Sequence, residues 1–355
     1  MSLRTSMCGL TVDIGASTPR WSRLVERALG GPTVAADDDS AAKAADLVIH
    51  IEDSRSPFPV GGLAPVTRGA WAGDGTVVLE DACGSGVDLR LQVLPPLLVV
   101  TARPRPAARH RLLRAAAPGR TELLHRAAVL QFPALWWAGC TGAVPLHVSA
   151  AQVGELGVAL AGAGGVGKST LLGTLLPAQG RPVSDNVCVW DGRTLWALPE
   201  PRRVTPDTVE PGQPAQPGGR TSERSRHGRM PHGREEREWA SRQPGVEPSL
   251  VLVVTRGTGN SPSVAPVTEH RCARMLVGGT YAAGELGRYW AFAATLALAT
   301  GIGPAHPPVT QAAERLSAAV PCVRVELAGR RTSVPLVELV ERAAALARPL
   351  TGSVR

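Results

Sequence analysis

The sequence predicts an α/β fold: a small N-terminal α+β domain, a central strand–glycine-rich loop–helix unit, and a mainly helical C-terminal part. Three observations predict it. Short β-rich runs separated by Gly and Pro clusters fill the first hundred residues. A buried-type apolar run, Leu156 to Ala161, enters a glycine-rich loop that leads into a helix opening. Apolar residues at helical spacing recur after Val267.

Taken in order, Cys8 to Ile14 reads as a strand, Pro19 to Leu29 as a helix and Asp46 to Ile51 as a strand. Thr76 to Leu79, Val87 to Val93 and Leu97 to Thr101 read as consecutive antiparallel strands. The acidic run Asp37, Asp38, Asp39 reads as a solvated loop. Pro104 to Pro118, rich in Arg, Ala and Pro, reads as a basic linking helix, which sets the expected boundary between an N-terminal domain over 1–117 and a second domain over 118–355. Thr121 to Trp137 carries apolar residues at 123, 124, 127, 128 and 130, a buried helix face, with Trp136 and Trp137 as core anchors.

From Pro145 two strand-like stretches are joined by a turn at Gly154 and Glu155, and Ser169 to Leu176 reads as a helix stopped by Pro177. Pro182 to Trp190 is strand-like, interrupted by Asp185 and Asn186. Residues 199–248, rich in Pro, Gly, Arg and Glu, read as a long mobile loop too polar for the core. Beyond the strand Leu250 to Val254, residues 265–355 are mainly helical: Val267 to Val277, Ala283 to Ala299, Val309 to Ala319, then a strand from Cys322 to Leu327. A final helix from Val334 to Ala347 places Leu336, Leu339, Val340 and Leu346 on one side. These helices are expected to pack against the second domain.

Composition narrows the function classes. The chain has 355 residues, 44% of them hydrophobic, enough for a sizeable core. A net charge of +8 over this length is modest, and 8 Trp, 2 Tyr and 3 Phe give few platforms for stacking bases, so no nucleic-acid partner is expected. Six dispersed cysteines form no CxxC pair and read as reduced, buried thiols. MSLRTSMCGL lacks the apolar core of a signal peptide, and Tyr289 to Ile302 is too short to span a bilayer. A soluble, cytoplasmic protein with no membrane partner is expected.

The chemistry gathers at Gly162, Ala163, Gly164, Gly165, Val166, Gly167, Lys168, Ser169 and Thr170. Gly162, four residues, then Gly167, Lys168 and Ser169 is the spacing of a phosphate-binding loop. Small residues let successive backbone N–H groups turn around anionic oxygens, the lysine reaches the β- and γ-phosphates, and the hydroxyl can ligate Mg²⁺. Only Lys43 and Lys168 among 38 basic residues are lysine, so a lysine at this position stands out. Asp185, on the next strand, is a carboxylate that needs a reason: either an exposed strand end, or a catalytic or Mg²⁺-linked acid.

A histidine in a Leu-His strand, a phosphate loop and an acidic position on the following strand together resemble the HPr kinase/phosphorylase family. That family shares its nucleotide-binding core with phosphoenolpyruvate carboxykinases and includes serine kinases encoded with peptide-modifying enzymes. His147 lies 21 residues before Lys168 and Asp185 lies 17 after it. The resemblance covers about 145 to 192. It implies ATP and Mg²⁺ as cofactors, Asp185 as catalytic base, His147 as the residue that pairs with and tunes it, and Lys168, with the metal on Ser169 and Asp185, neutralising charge on the transferring phosphoryl group. Two departures stand against it: Asn186 replaces a second acid, and Thr255 and Arg256 end the strand near which the family carries a glutamate. A one-way kinase is therefore expected. Its acceptor would be a Ser or Thr hydroxyl of a peptide or small protein, such as a precursor peptide, or a small-molecule alcohol. A homo-oligomer would match the family's habit.

The alternative from another class is a nucleotide-binding switch or assembly factor that transfers nothing. A motor or transport ATPase is disfavoured, because no apolar strand ends in Asp-Glu and no LSGGQ-like or NKxD motif occurs. Nine arginines between Arg202 and Arg242 allow either a linker or a lid over ATP, in which Arg229 or Arg234 would bond phosphate oxygens.

Overall fold

The strand expected from Cys8 begins two residues later, at Leu10, because Cys8 and Gly9 form the turn of a hairpin. Cys8 and Gly9 have φ of 56° and 81°, the two left-handed residues that a tight two-residue turn requires. They join β1 (Ser2–Met7) to β2 (Leu10–Ala16), with Met7 opposite Leu10. The computed structural model describes residues 2–31, 43–105, 107–204, 235–329 and 334–351, so the acidic run at 37–39 and Arg229 and Arg234 lie outside the described residues. Helix α1 (Pro19–Leu29) opens on its proline and closes at left-handed Gly30. Strands β3 (Leu47–Ile51), β4 (Ala64–Thr67), β5 (Ala70–Gly73), β6 (Thr76–Leu79), β7 (Val87–Leu94) and β8 (Leu97–Pro104) complete an eight-stranded sheet of order β1-β2-β3-β8-β7-β6-β5-β4. The run β6-β7-β8 is antiparallel as expected. β3 is not: it lies parallel to both β2 and β8, because the chain crosses back through α1 before entering it.

Helix α2 (Ala108–Ala116) is the basic linker. It is followed by a continuous helical rod made of α3 (Pro118–Arg126), a π-type stretch over Ala127–Gln131, and α4 (Phe132–Cys140). Pro133 cannot donate its share of the α-helical ladder, which accounts for the widened turn before it. Trp136 and Trp137 are buried as expected.

The next run holds β9 (Val144–Leu146), β10 (Ser149–Val153), β11 (Leu156–Ala161), α5 (Lys168–Leu172), β12 (Gly180–Ser184), β13 (Cys188–Trp190), β14 (Leu195–Ala197) and β15 (Arg202–Val204). After it come β16 (Glu235–Arg237), β17 (Gly245–Val246), β18 (Leu250–Arg256) and β19 (Ser263–Pro266). Helices α6 (Glu269–Tyr281), α7 (Gly284–Thr300) and α8 (Val309–Ala319), strand β20 (Cys322–Leu327) and α9 (Leu336–Thr351) end the described chain. A six-stranded sheet, β12-β10-β11-β18-β20-β19, carries the loop. Its centre, β11-β18-β20, is parallel and its outer pairs are antiparallel.

Alternation along these strands divides the sheet's two faces. Ala159, Ala161, Val251 and Val253 pack with α6, α8 and the small sheet β17-β14-β13-β9. Val158, Leu160, Leu252 and Val254 pack with α5 and α9. On α9 the buried stripe is Leu336, Leu339, Val340, Ala343 and Ala347, whereas Leu346, expected on that side, is exposed. Helix α7 departs from expectation too. Its buried Tyr289, Phe292, Ala293 and Leu296 join the core of the N-terminal sheet, so it does not serve the six-stranded sheet alone.

Of the segment 199–248, expected to be a mobile loop, residues 205–234 lie outside the described residues, and its described ends are less loop-like than their composition suggests. Its flanks pair as β15 and β16, and Trp239, Arg242 and Val246 are buried. Trp239 donates its backbone N–H to Gly30 and its indole N–H to the Glu200 carbonyl, at 2.7 and 3.1 Å. An indole with its polar atom satisfied can act as a core anchor inside an otherwise polar stretch. No described helix is long and apolar enough to cross a membrane.

Candidate functional site

The loop between β11 and α5 is held where only glycine fits. Gly162 has φ of 144°, and a Cβ there would lie 2.5 Å from the Val254 carbonyl oxygen. At Gly167, with φ of 119°, it would lie 2.9 Å from Leu327 Cδ1. These two approaches clamp the loop against β18 and β20. Helix α5 is shorter than expected, because the chain tightens into i→i+3 turns after Leu172, with the Thr174 and Leu175 amides bonding the Leu171 and Leu172 carbonyls at 3.0 and 3.2 Å. Any anion at this loop would therefore meet mainly the loop's own backbone. Lys168 is buried, and its Nζ donates to the Gly162 and Ala163 carbonyls at 2.8 and 3.2 Å.

A cavity of about 340 Å³ opens over this loop. Gly164, Gly165, Gly167, Lys168, Ser169 and Thr170 line it together with His147, Asp185 and Asn186. The three side chains singled out from sequence, His147, Lys168 and Asp185, thus share one cavity.

His147 follows β9. Its amide donates to the Thr280 hydroxyl, and Nδ1 lies 3.0 Å from the Gly279 carbonyl at the end of α6. A carbonyl only accepts, so Nδ1 carries the proton and Nε2 is left as an acceptor. Burial, reinforced by the Lys168 charge, pushes the imidazole down to about 4, so it is neutral at pH 7. The expected pairing with Asp185 is not made: among the described residues the imidazole's hydrogen-bond partner is Gly279. Gly279 brings α6 close to the loop, a Cβ there falling 3.3 Å from the Gly162 carbonyl oxygen.

Asp185 lies in the bend between β12 and β13, 2% exposed. Its backbone carbonyl accepts from the Ser149 hydroxyl, and Oδ2 accepts the Arg203 amide at 3.1 Å. It is neither an exposed strand end nor a solvated loop residue.

Sequence reasoning missed Arg203, Glu285 and Arg256, which line the same cavity, and Glu200 beside Arg203. Arg203, dismissed with the polar segment, runs its guanidinium between Glu200, at 3.4 Å, and Glu285 in the first turn of α7. Burial alone would lower its pKa, but the two carboxylates outweigh that and raise it. Burial likewise works to raise Glu285, yet Arg203 holds it at about 2, whereas burial wins at Glu200 and pushes it up to about 7 against the pull of Arg203 and Arg126. Arg256, noticed only as the end of a strand, lines the cavity. Its Nη1 donates to the Gly329 carbonyl at 3.0 Å, and its Nη2 lies 3.6 Å from the point a Cβ on Gly167 would occupy. Only its position beside the loop, invisible in sequence, marks it.

A comparison with protein-family models finds no match, and one with curated proteins finds no significant similarity.

No group of three or more His, Cys, Asp or Glu side chains suited to a metal occurs among the described residues. Ser169 and Asp185 offer one hydroxyl and one carboxylate on the same cavity. Such a hard-oxygen set suits Mg²⁺ arriving with phosphate oxygens and water, and is too small for a resident metal.

Proposed function

We propose that the protein is an ATP-dependent kinase, with an HPr kinase-like P-loop core, that transfers the γ-phosphoryl group to a hydroxyl of a peptide or small protein. The single observation that carries this reading is the convergence of Lys168, Asp185 and His147 on one cavity floored by the phosphate loop.

The backbone amides of 162–167 and the Lys168 ammonium bind and orient the triphosphate, with Arg256 adding positive charge beside the loop. Mg²⁺ on Ser169 and Asp185 would supply charge neutralisation between the phosphates. The acceptor oxygen attacks the γ-phosphorus, an O–P bond forms, the bond to the bridging β–γ oxygen breaks, and ADP leaves. Asp185 takes the acceptor's proton. His147, neutral and anchored through Nδ1, presents Nε2 as an acceptor and adds no charge that competes with Lys168. Its role is to orient the acceptor hydroxyl or a water.

A second reading, a nucleotide-binding switch, is favoured by one observation: His147 bonds Gly279 and not Asp185. Incubation with γ-labelled ATP, Mg²⁺ and a degenerate Ser/Thr peptide mixture separates the two. The kinase reading expects label on peptide that falls about 10²- to 10⁴-fold in Asp185→Asn while the affinity for ATP measured without Mg²⁺ changes little. Tight ATP binding with no transfer, or transfer indifferent to Asp185, supports the switch.

A further inference from the structure

A second cavity, about 440 Å³, lies against the first, sharing Asn186, Arg203, Gly284 and Glu285 as a common wall. Its other side is the helical rod 118–140 together with Val187 and Leu198, so its body is apolar. Four polar atoms of its lining residues are buried with no hydrogen-bond partner among the described residues: Asn186 Nδ2, Glu200 Oε1 and the Nε atoms of Arg126 and Arg203, so the unmatched set holds donors and an acceptor. Asn186 and Glu200 are 8% and 4% exposed. A buried donor and a buried acceptor left unmade beside an apolar hollow are costly to a protein that binds nothing there. A ligand carrying both a carbonyl and an N–H would satisfy them, and a peptide backbone carries both. Arg288, an exposed cation, also lines this cavity.

Resting on the kinase reading, we propose that this second cavity receives the acceptor. The acceptor is a peptide segment in which the phosphorylated hydroxyl residue is flanked by a bulky apolar side chain, with an acidic residue beyond it. The apolar side chain fills the hollow, the backbone amide meets Asn186 and Glu200, the acidic group meets Arg288, and the hydroxyl crosses the shared wall toward Asp185. The volume suits roughly one or two residues, at the lower end of the range for small-ligand pockets.

Calorimetric titration without nucleotide tests this. Acetyl-Glu-Leu-Ser-amide is expected to bind at least tenfold more tightly than acetyl-Lys-Gly-Ser-amide or leucinol, the last having the apolar group and hydroxyl without the peptide bond. Ala127→Phe, which fills the hollow, should weaken the first peptide at least tenfold while ATP affinity changes less than twofold. Leu123→Ala, which enlarges it, should shift preference toward the peptide with Trp in place of Leu. Equal or absent binding of the three probes, or binding untouched by both variants, overturns the assignment. Binding that behaves as expected but is followed by no labelling with Mg·ATP removes the kinase reading and leaves the cavity assignment standing. Labelling of serine peptides regardless of flanking residue does the reverse.

Discussion

Replacing His147 with asparagine keeps a side-chain N–H for the Gly279 carbonyl and removes the group that titrates. Burial and Lys168 push the folded-state pKa of His147 down to about 4, from an ordinary 6.5. The unfolded chain therefore binds the proton more tightly, and the stability contributed by the neutral imidazole is lost as pH falls below 6.5 toward 4. At pH 5 linkage puts that loss at about 2 kcal/mol relative to pH 8. Glu200 works in the opposite direction. Its folded-state pKa is raised to about 7 from 4.5, so the folded state binds the proton more tightly, and stability is present at low pH and lost as pH rises through 7. Between pH 8 and pH 5 it returns about 2.5 kcal/mol, so the two groups nearly cancel in the native protein. Urea denaturation followed through the chain's 8 tryptophans, at pH 8 and pH 5, reads the difference. Relative to the native protein, His147→Asn should gain about 2 kcal/mol on going from pH 8 to pH 5, and Glu200→Gln should lose a similar amount. Other carboxylates contribute the same slope to all three proteins and drop out of the comparison. A His147→Asn profile parallel to the native one would refute the buried, neutral imidazole.

Lys168→Ala should weaken ATP binding by at least tenfold in a calorimetric titration and abolish transfer, since the loop loses its one lysine; unchanged transfer would remove Lys168 from the mechanism. Gly162→Ala should destabilise the fold by about 2 kcal/mol or more in thermal or urea unfolding, because a Cβ there meets the Val254 carbonyl oxygen in a left-handed backbone. An unaltered midpoint would mean that the loop is not clamped. Arg203→Met should cost about 3–5 kcal/mol at pH 8 by leaving Glu200 and Glu285 without their shared cation. That deficit should shrink at pH 6, where the Glu200 carboxyl holds its proton, and a pH-independent deficit would assign the loss to packing.

The loop was legible because its requirements are local: Gly162, Gly167, Lys168 and Ser169 sit in a fixed spacing between a strand and a turn. Helices α1 and α8 and strands β6 and β20 were legible for the same reason, each being bounded by its own proline, glycine or period. Cys8 was misread because a positive φ at a non-glycine residue leaves no mark in composition. Arg203, Trp239 and Arg242 were misread because segment 199–248 averages to polar, while burial is decided residue by residue through partners distant in sequence. Asn186 counted against catalysis from sequence, as a missing acid. In the structure the same amide lies in the wall between two cavities.

That wall bears on how the kinase and switch readings are to be weighed. A nucleotide switch needs the first cavity alone, and for such a protein Arg203 would only have to neutralise Glu285. Yet the Arg203 amide also bonds Asp185 Oδ2 at 3.1 Å, and its guanidinium reaches Glu200 on the side of the second cavity. One residue therefore links the carboxylate proposed as base to the lining of the hollow proposed for the acceptor. Arg203 and Glu285 both stand in the wall the two cavities share, so a change in their contact would alter both cavities. Coupling of that kind serves a reaction between two bound molecules, so acceptor peptide and ATP should each tighten the other's binding. A switch that binds only nucleotide would show no such reciprocity.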